Sequence, residues 1–492
     1  MNKGKVYLIG AGPGDPELIS MKAMRILQSA DTVLYDSLAN HDILLLCKPN
    51  AKLINVGKRK GNHSAVQSEI NRMIYKEAKK ANIVARLKGG DPFLFGRGAE
   101  EMQYLIKLGL EVEVIPGITS ALAVPAYAGI PVTHRELSSS VALITGHMME
   151  GKTLDNLKIP AADTIIVLMG ISNLAELVDK LLTRSDFNTN TPAALIREGT
   201  LPWQKTIIGT LGNICKKKEE QKLTAPAIFV VGNVVTLRES LNWFESKPLF
   251  GQRIIVLRTL EQSMEITQKL NDLGATVVKR PIIQIVPLKK NLQKLKNRFL
   301  NKFTMIIFTS PNAVDLFMKQ LFSKNLDTRQ LAGKQIIAIG PKTSDHLKQY
   351  GIISDSVPRE YMAEGILEML PLDLSSENIL LPRSAESRMV LPDELKNRQA
   401  TVTVLDIYAT ISPDTLDIEL KNDDYVIFTS SSTVRHFYAV QNPGTIDFTA
   451  FCIGAITAAE LEKFGHKKII VAKQATIDSL IDCILNVKRP TL

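Results

Sequence analysis

The sequence is poor in cysteine and contains no long apolar run. Its four cysteines lie far apart in 492 residues and form no CxxC pair, so we expect reduced thiols, not disulfides or zinc ligands. The seven histidines show no metal-ligand spacing, and we predict no metal. No run approaches the roughly 18 apolar residues of a membrane span. The first apolar run is too short for a signal peptide, which favours a cytoplasmic protein without a membrane partner.

Acidic residues are outnumbered, and the formal net charge is +10. This charge suits nucleic acid, an anionic membrane surface or a substrate rich in carboxylates, and it also suits simple solubility. The densest basic cluster, "KKKEEQK" at 216–222, contains its own acids. Because no surface combining aromatic and basic residues is recognisable, we predict no nucleic-acid partner, although a basic nucleic-acid-binding protein stays the alternative from another class.

The order of apolar and amphipathic segments indicates the fold class. Strand-like runs such as "KVYLIG", "NIVARL", "AIFVVGN" and "YVIFTS" alternate with helical runs at 64–80, 98–109 and 172–184. This alternation predicts an α/β architecture with largely parallel sheets. A chain of this length exceeds one core. The Pro and Gly in 241–253 mark a domain boundary.

The second half contains an internal duplication. "FTSPNAVDLF" (308–317) matches "FTSSSTVRHF" (428–437), and "AIGPKTSDHLKQYG" (338–351) matches "CIGAITAAELEKFG" (452–465). Both pairs run from a strand through a short turn to a helix, in the same order. Two copies predict two similar α/β lobes. The alternative is that unrelated strand–turn–helix units converged on the same pattern.

The stretch "VYLIGAGPGDPEL" (6–18) tests for dinucleotide binding. Gly10 and Gly12 fit a G-x-G-x-x-G fingerprint, and Asp36 lies near the position of a ribose-binding acid. The third glycine, however, is replaced by Asp15, whose charge would oppose a pyrophosphate. Pro13 also removes a backbone donor. An NAD-dependent oxidoreductase is therefore the disfavoured alternative.

Two further loops follow strands, "RLKGGDPFLFGRGAEE" (86–101) and "VIPGITSALAVPAYAGIPVTHR" (114–135). Small residues dominate them and no nucleophile–base pair stands out, so we expect a bulky ligand held by backbone contacts. Their position at strand ends, where α/β sheets bind ligands, favours function over three plain turns.

These motifs, with "YDSL", "VGKR", "TGH" and "PAIFVVGNVVTLR", resemble the tetrapyrrole methylases, in particular the uroporphyrinogen-III C-methyltransferases. The resemblance covers 1–244 and implies a two-lobed α/β domain at 1–245. It also implies S-adenosylmethionine as methyl donor, two methylations of uroporphyrinogen III to precorrin-2, and a homodimer formed through this half.

The family's site residues can be carried over by motif. Asp36 is then the candidate base, or else a helix or turn cap. Lys58 is the candidate acid, or else a cation that binds a substrate carboxylate. Five basic residues could hold substrate acetates and propionates: Arg59, Arg86, Arg97, His134 and Arg135. The implied cofactor contacts are Pro13, Gly89, Gly90, Asp91, Leu94, Thr119, Ser120 and Met169, with Gly199 and Ala227 as further members.

The second half, through "FTSPNAV", "AIGPKT", "LLPRSAESRMVLPDEL", "YATISP" and "FTSSSTV", resembles the uroporphyrinogen-III synthases. This implies a two-lobed α/β domain at 250–492, with lobe one at 250–285 plus 405–492 and lobe two at 290–402. The segments 281–288 and 402–410 would be paired crossings. The implied reaction closes hydroxymethylbilane without a cofactor. Tyr408 would assist hydroxyl departure, or else pack at a strand end, and Thr343 and Thr457 are weaker candidates.

The two resemblances support each other, because the product of the second reaction is the substrate of the first. They predict a bifunctional enzyme that makes precorrin-2 on the route to sirohaem or cobalamin. Within the sequence no NAD-dependent oxidation module is recognisable. A basic charge balance suits two substrates that are rich in carboxylates.

Overall fold

A computed structural model of the chain describes residues 4–57, 67–147, 157–257, 260–280, 282, 284–411, 419–441 and 446–488. The chain divides into two compact units. The first extends to Arg253 and includes Gln268–Val277, and the second contains Ile254–Thr267 and Val278–Asn486. Helices and sheets alternate in both units, so the predicted α/β class is confirmed. No helix in these described ranges is long and apolar enough to cross a membrane.

The first sheet is entirely parallel and has the strand order β3-β2-β4-β1-β5. Apolar side chains cover both of its faces, as expected for a sheet flanked by helices. All five strands therefore end at one edge, where the glycine-rich loops begin. The elements are β1 Lys5–Gly10, α1 Met21–Ser29, β2 Thr32–Tyr35, β3 Lys52–Asn55, α2 Gln67–Ala78, β4 Ile83–Lys88, α3 Gly98–Lys107, β5 Val112–Ile115 and α4 Ser120–Tyr127.

The second sheet of the first unit is mixed and has the order β6-β7-β10-β8-β9. The strand β10 is antiparallel to β7 and β8, so its first residue lies at the edge where those two strands end. The loops after β7 and β8 and the start of β10 therefore share one edge of the sheet. The elements are β6 Val141–Thr145, β7 Thr164–Leu168, α5 Leu174–Leu182, β8 Pro192–Arg197, β9 Lys205–Thr210, α6 Ile214–Glu220, β10 Ala227–Val231 and α7 Arg238–Leu241.

Two further sheets lie mainly in the second unit, with the orders β12-β11-β18-β19-β20 and β13-β17-β16-β14-β15. Their strands are β11 Arg253–Val256, β12 Thr276–Lys279, β13 Gln284–Pro287, β14 Met305–Phe308, β15 Gln335–Ala338, β16 Asn378–Ser384, β17 Thr401–Ile411, β18 Tyr425–Phe428, β19 Thr449–Cys452 and β20 Ile469–Val471. The helices are α8 Leu260–Asp272, α9 Lys289–Leu292, α10 Asn297–Leu300, α11 Pro311–Ser323, α12 Pro341–Gln349, α13 Ala363–Met369, α14 Val390–Asn397, α15 Ser431–Val440, α16 Ala455–Lys463 and α17 Ile477–Lys488.

The two segments expected to connect the lobes contain β13 and β17. These strands pair antiparallel, with Gln284 opposite Ile411 and Pro287 opposite Tyr408. On its other side β17 pairs with β16, so residues 405–411 belong to the same sheet as β14 and β15. We expected these seven residues in the other lobe. They differ because β16 pairs with β17 as far as Tyr408 and β13 pairs with it from Tyr408 to Ile411, so the whole stretch is paired within this sheet.

The duplicated motifs have matching structures. Ser310 caps α11 by accepting from the Ala313 N–H, and Ser430 caps α15 in the same way. In each copy a strand-end phenylalanine packs edge-to-face on a helix phenylalanine, at centroid distances of 5.3 Å and 5.4 Å. Capping serines satisfy backbone donors that a helix start would otherwise leave unpaired. The same local chemistry therefore begins a helix at both places.

This cap gives a first testable expectation. Replacing Ser430 with alanine removes the acceptor for the Thr433 N–H, which is 3.2 Å away. We expect the free energy of unfolding of the second unit to fall by about 1 kcal/mol. Urea titration followed by circular dichroism would measure it. The control is Glu462→Ala at an exposed position of α16, expected within about 0.5 kcal/mol of the parent protein. An unchanged midpoint for Ser430→Ala would contradict the capping role.

Candidate active site

Three glycines bring the loops after β1, β4 and β5 into direct contact. A Cβ added to Gly10 would lie 2.5 Å from the Gly117 Cα, and one added to Gly117 would lie 2.4 Å from the Gly90 carbonyl oxygen. Gly12 and Gly90 also exchange backbone hydrogen bonds of 3.2 Å and 2.7 Å. Atoms this close exclude any side chain, so only glycine permits the approach.

The Asp91 carboxylate holds two of these loops together. One oxygen accepts from the Phe93 N–H at 2.8 Å, and the other accepts from the Gly117 N–H at 3.0 Å. The family resemblance predicts Asp91 as a cofactor contact. The structure adds a positioning role, since this side chain fixes the backbone around Gly90.

The GPGD loop is anchored by Asp15. Its backbone N–H donates to the Thr200 hydroxyl at 2.9 Å, and its carboxylate accepts from the Tyr127 hydroxyl at 2.8 Å and from the Glu17 N–H at 2.9 Å. Burial and the neighbouring Asp15 carboxylate raise the pKa of Tyr127, which keeps this hydroxyl protonated as a donor. A carboxylate with these partners occupies the place of the third fingerprint glycine, which further disfavours a pyrophosphate ligand.

The remaining predicted contacts of the first sheet lie around the same glycines. Thr119 caps α4 by accepting from the Ala121 N–H. Ser120 begins that helix, and its backbone nitrogen lies 3.7 Å from a Cβ placed on Gly90. A Cβ on Gly89 would approach Leu38 to 3.0 Å. Leu94 is partly buried against the core beside α4. The edge of the first sheet therefore gathers Pro13, Gly89, Gly90, Asp91, Leu94, Thr119 and Ser120 in one group of loops.

The second sheet contributes Met169, Gly199 and Ala227 at one of its own edges. Met169 follows β7, Gly199 follows β8, and Ala227 begins the antiparallel strand β10 opposite Arg197. Met169 has a left-handed φ of 56°, a conformation that costs a non-glycine residue free energy. Gly199 has no room for a side chain, because a Cβ would lie 2.3 Å from Val124.

Asp36 directly follows β2 and forms a short ion pair. Its carboxylate lies 2.6 Å from Nη2 of Arg86 and its side chain is 27% exposed. Among the described residues, the partner of this carboxylate is the Arg86 guanidinium. A helix or turn cap, the alternative role, would instead accept from a backbone N–H. Lys58 and Arg59 lie outside the described residues.

Arg86 is wrong as a candidate for binding substrate carboxylates. It is 1% exposed and its guanidinium contacts Asp36 and Glu101. It points into the protein because residues of β4 alternate between covered faces. Arg97 pairs with Glu100 at 2.6 Å on the surface, His134 accepts from the Glu136 N–H, and Arg135 is exposed.

Sequence reasoning missed several apolar side chains that are exposed at the strand ends. Leu38 is 63% exposed, Phe93 53% and Ile118 44%. Each follows a strand within or beside a glycine-rich loop, where no core covers it. A large apolar residue in such a loop is the sequence signal from which these exposed side chains could have been predicted. Exposed apolar groups beside a backbone-lined edge suit a bulky, partly apolar ligand.

In the second unit, Tyr408 lies on β17 and is 6% exposed. Its hydroxyl is 3.0 Å from the Ser310 hydroxyl, which connects it to the start of α11. Thr343 and Thr457 occupy equivalent places in α12 and α16 and are 2% and 4% exposed. Among the described residues no cluster of three or more metal-ligating side chains occurs.

These features define the class of the protein. It is an α/β enzyme of two units, with glycine-rich loops gathered at strand ends into a candidate site in the first and two five-stranded sheets with matching strand–turn–helix motifs mainly in the second. Residues 5–215 match the family model of the Tetrapyrrole (Corrin/Porphyrin) Methylases, and residues 264–482 match that of Uroporphyrinogen-III synthase HemD.

Known proteins match over the same regions. Porphyrin biosynthesis protein HemD of Ruminiclostridium josui is 37% identical over 509 residues, covering 99% of both chains. Uroporphyrinogen-III C-methyltransferase of Methanocaldococcus jannaschii is 50% identical over 239 residues, covering 48% of this chain and 99% of the relative. The crystal structure of uroporphyrin-III C-methyltransferase from Thermus thermophilus complexed with S-adenyl homocysteine is 36% identical, covers 48% of this chain and 100% of that chain, and has a TM-score of 0.42.

The chain therefore belongs to the family of fused enzymes that join a uroporphyrinogen-III C-methyltransferase to a uroporphyrinogen-III synthase in tetrapyrrole biosynthesis. Both resemblances derived from the sequence are confirmed.

Proposed function

We propose that residues 1–245 methylate uroporphyrinogen III twice with S-adenosylmethionine and release precorrin-2. The observation that carries this proposal is the contact among Gly10, Gly90 and Gly117, which gathers three loops into a site lined by backbone. The site offers carboxylates and peptide groups and no phosphate cradle, and this fits a cationic sulfonium ligand. Exposed Leu38 and Phe93 beside it suit the ring of the second substrate.

The donor supplies an electrophilic methyl group on sulfur, so the protein's own task is placement and proton transfer. The loops of both sheets, with the ten contacts carried over from the family, would hold the donor in line with a pyrrole carbon. Positioning of this kind supplies a large part of a barrier reduction. Asp36, ion-paired and partly exposed, would accept the proton that the methylated ring loses. Lys58 would be the acid or a partner for a substrate carboxylate.

We further propose that residues 250–492 close hydroxymethylbilane to uroporphyrinogen III. In this assignment lobe two is 290–402 and lobe one is 250–285 plus 405–492, except that residues 405–411 pair within the sheet of lobe two. The Tyr408 hydroxyl, placed by Ser310, would donate to the departing hydroxyl of the substrate. The net charge of +10 suits both polycarboxylate substrates. A homodimer through the first half is proposed from the family resemblance.

A side-by-side experiment tests the whole proposal. The full chain is incubated with hydroxymethylbilane, with and without S-adenosylmethionine, and products are separated by mass and absorption spectrum. We expect uroporphyrinogen III without the donor and a dimethylated product with it. Calorimetric titrations with S-adenosylhomocysteine, NAD and duplex DNA accompany the assay. Tight binding of NAD or DNA without binding of S-adenosylhomocysteine would overturn the assignment, and formation of uroporphyrin I alone would reject the synthase half.

Tyr408→Phe tests the role of the hydroxyl in ring closure. The ring stays packed in its buried place while the donor is lost, so we expect synthase turnover to fall roughly 100- to 1,000-fold with little change in melting temperature. A coupled assay for uroporphyrinogen III measures the rate. The matched control is Tyr425→Phe. Tyr425 is a similarly buried tyrosine on β18, and this variant is expected to retain activity. Equal rates for Tyr408→Phe and the parent chain would assign Tyr408 to packing alone.

A further inference from the structure

A buried network of charges lies directly behind Asp36. Arg86 and Lys88 lie two residues apart on the same face of β4 and are 1% and 4% exposed, while Glu101 on α3 is fully buried. One oxygen of Glu101 lies 2.9 Å from the Lys88 ammonium and 3.3 Å from Nε of Arg86, and it also accepts from the Gln67 amide at 3.0 Å. The Arg86 guanidinium also contacts Asp36, with Nη2 2.6 Å from a carboxylate oxygen.

Stability does not explain this network. Burying the three charged groups of Arg86, Lys88 and Glu101 carries a large desolvation penalty, and apolar replacements of such groups are often neutral or stabilising. The second oxygen of Glu101 is buried without a hydrogen-bond partner among the described residues, which adds to the cost. Burial, followed by the nearby Arg86 charge, lowers the pKa of Lys88. The two cations, Arg86 and Lys88, and the Glu101 carboxylate are therefore held together at a cost in free energy. Their network contacts the candidate base, Asp36.

We propose that Arg86, Lys88 and Glu101 are positioning residues that orient the Asp36 carboxylate and set the local charge it experiences during methylation. The inference rests on the proposed methyltransferase function and on Asp36 as its base. In the described part of the chain, the charged groups facing Asp36 are Arg86 and Lys88 from β4 and Glu101 from α3. Glu100 on the same helix is paired with Arg97, and the α2 residues Gln67 and Asn71 are uncharged.

The network has a net charge of zero, and single substitutions change it in opposite directions. Lys88→Met leaves one excess negative charge, which favours protonation of Asp36. Glu101→Gln leaves one excess positive charge, which opposes protonation. Nearby charges of this kind displace a titration by about one pH unit or more. The double substitution restores neutrality and so should return the titration toward its original position.

The test measures kcat/KM for methylation against pH in the full chain with these three variants. We expect the acid limb of the profile to move up by about one pH unit in Lys88→Met and down by about one pH unit in Glu101→Gln. The double variant should lie between the two. A purely structural role would lower activity in both single variants without displacing the limbs in opposite directions, and that result would overturn the proposal.

Several measurements separate misfolding from a wrong inference. Synthase activity and S-adenosylhomocysteine affinity are measured in every variant, and both should stay within about threefold of the parent.

If a neutralising variant does not fold, Lys88→Arg and Glu101→Asp replace it. They keep the charge and displace the Asp36 carboxylate, so kcat should fall by up to about 100-fold with the acid limb unmoved. A displaced limb would count against the proposal. Absence of methylation in the parent chain would reject the proposed function, whereas intact methylation with unmoved limbs in Lys88→Met and Glu101→Gln rejects only this inference.

Discussion

Asp36→Asn is expected to slow methylation by about 100- to 10,000-fold, the range that a positioned general base contributes. The amide retains the shape of the carboxylate but does not accept a proton, and it no longer carries the charge paired with Arg86 at 2.6 Å. Because the change lies at the end of β2, outside the contacts among the three glycines, S-adenosylhomocysteine affinity should stay within about threefold. Single-turnover kinetics with uroporphyrinogen III and S-adenosylmethionine would measure the chemical step.

The matched control is Asp42→Asn, an exposed aspartate in the 3-10 helix His41–Leu46 that follows the same strand. It should leave both activities unchanged. A rate for Asp36→Asn within tenfold of the parent chain would remove Asp36 as the base and leave Lys58 or a solvent route for the proton. The synthase activity of the same preparation verifies that each variant is folded.

Gly117→Ala is expected to abolish binding of the methyl donor. The added Cβ would lie 2.4 Å from the Gly90 carbonyl oxygen and 2.7 Å from the Gly10 Cα. Because both of these are backbone atoms, the loops after β1, β4 and β5 must separate. A displacement of about 1 Å in a positioned site costs roughly 100-fold. We therefore expect S-adenosylhomocysteine affinity to fall at least about 100-fold and methylation to become undetectable, as measured by calorimetry and product analysis.

The control for this variant is Gly454→Ala. That glycine has extended backbone, with φ of −172°, and apart from its chain neighbours no described atom lies within 4 Å of an added Cβ. Methylation should be unaffected, and synthase activity should survive in both variants. Normal donor binding by Gly117→Ala would show that the loops move apart without consequence, and the site would then have to lie elsewhere.

Several elements were predictable because their signals are local. Apolar runs such as "KVYLIG" and "YVIFTS" form strands, and the predicted helices at 98–109 and 172–184 correspond to α3 and α5. The Ser310 and Ser430 caps follow from the turn residues between each strand and helix. The β17 boundary was not predictable from its neighbours, since pairing with β13 and β16 on its two sides decides where residues 405–411 lie.

The candidate site divides in the same way. The glycine-rich loops could be placed at strand ends from sequence, and Asp36 could be placed after β2. The burial of Arg86 and the exposure of Leu38 could not, because each depends on which distant segments pack beside it. Arg86 has the same residue type as a surface cation that would bind a carboxylate, and only its contacts with Asp36 and Glu101 distinguish the two roles.

By itself the sequence determined the α/β class, the glycine-rich loops of the candidate site and the membership in a fused methyltransferase and synthase family. These properties are encoded in short contiguous motifs, where strand periodicity, glycine and capping residues act over a few positions. Only the tertiary structure decided that Gly10, Gly90 and Gly117 touch and that a buried charge network lies behind Asp36. Close backbone approach and ion pairing join residues far apart in the chain, and their free energies depend on distances and burial that no local pattern specifies.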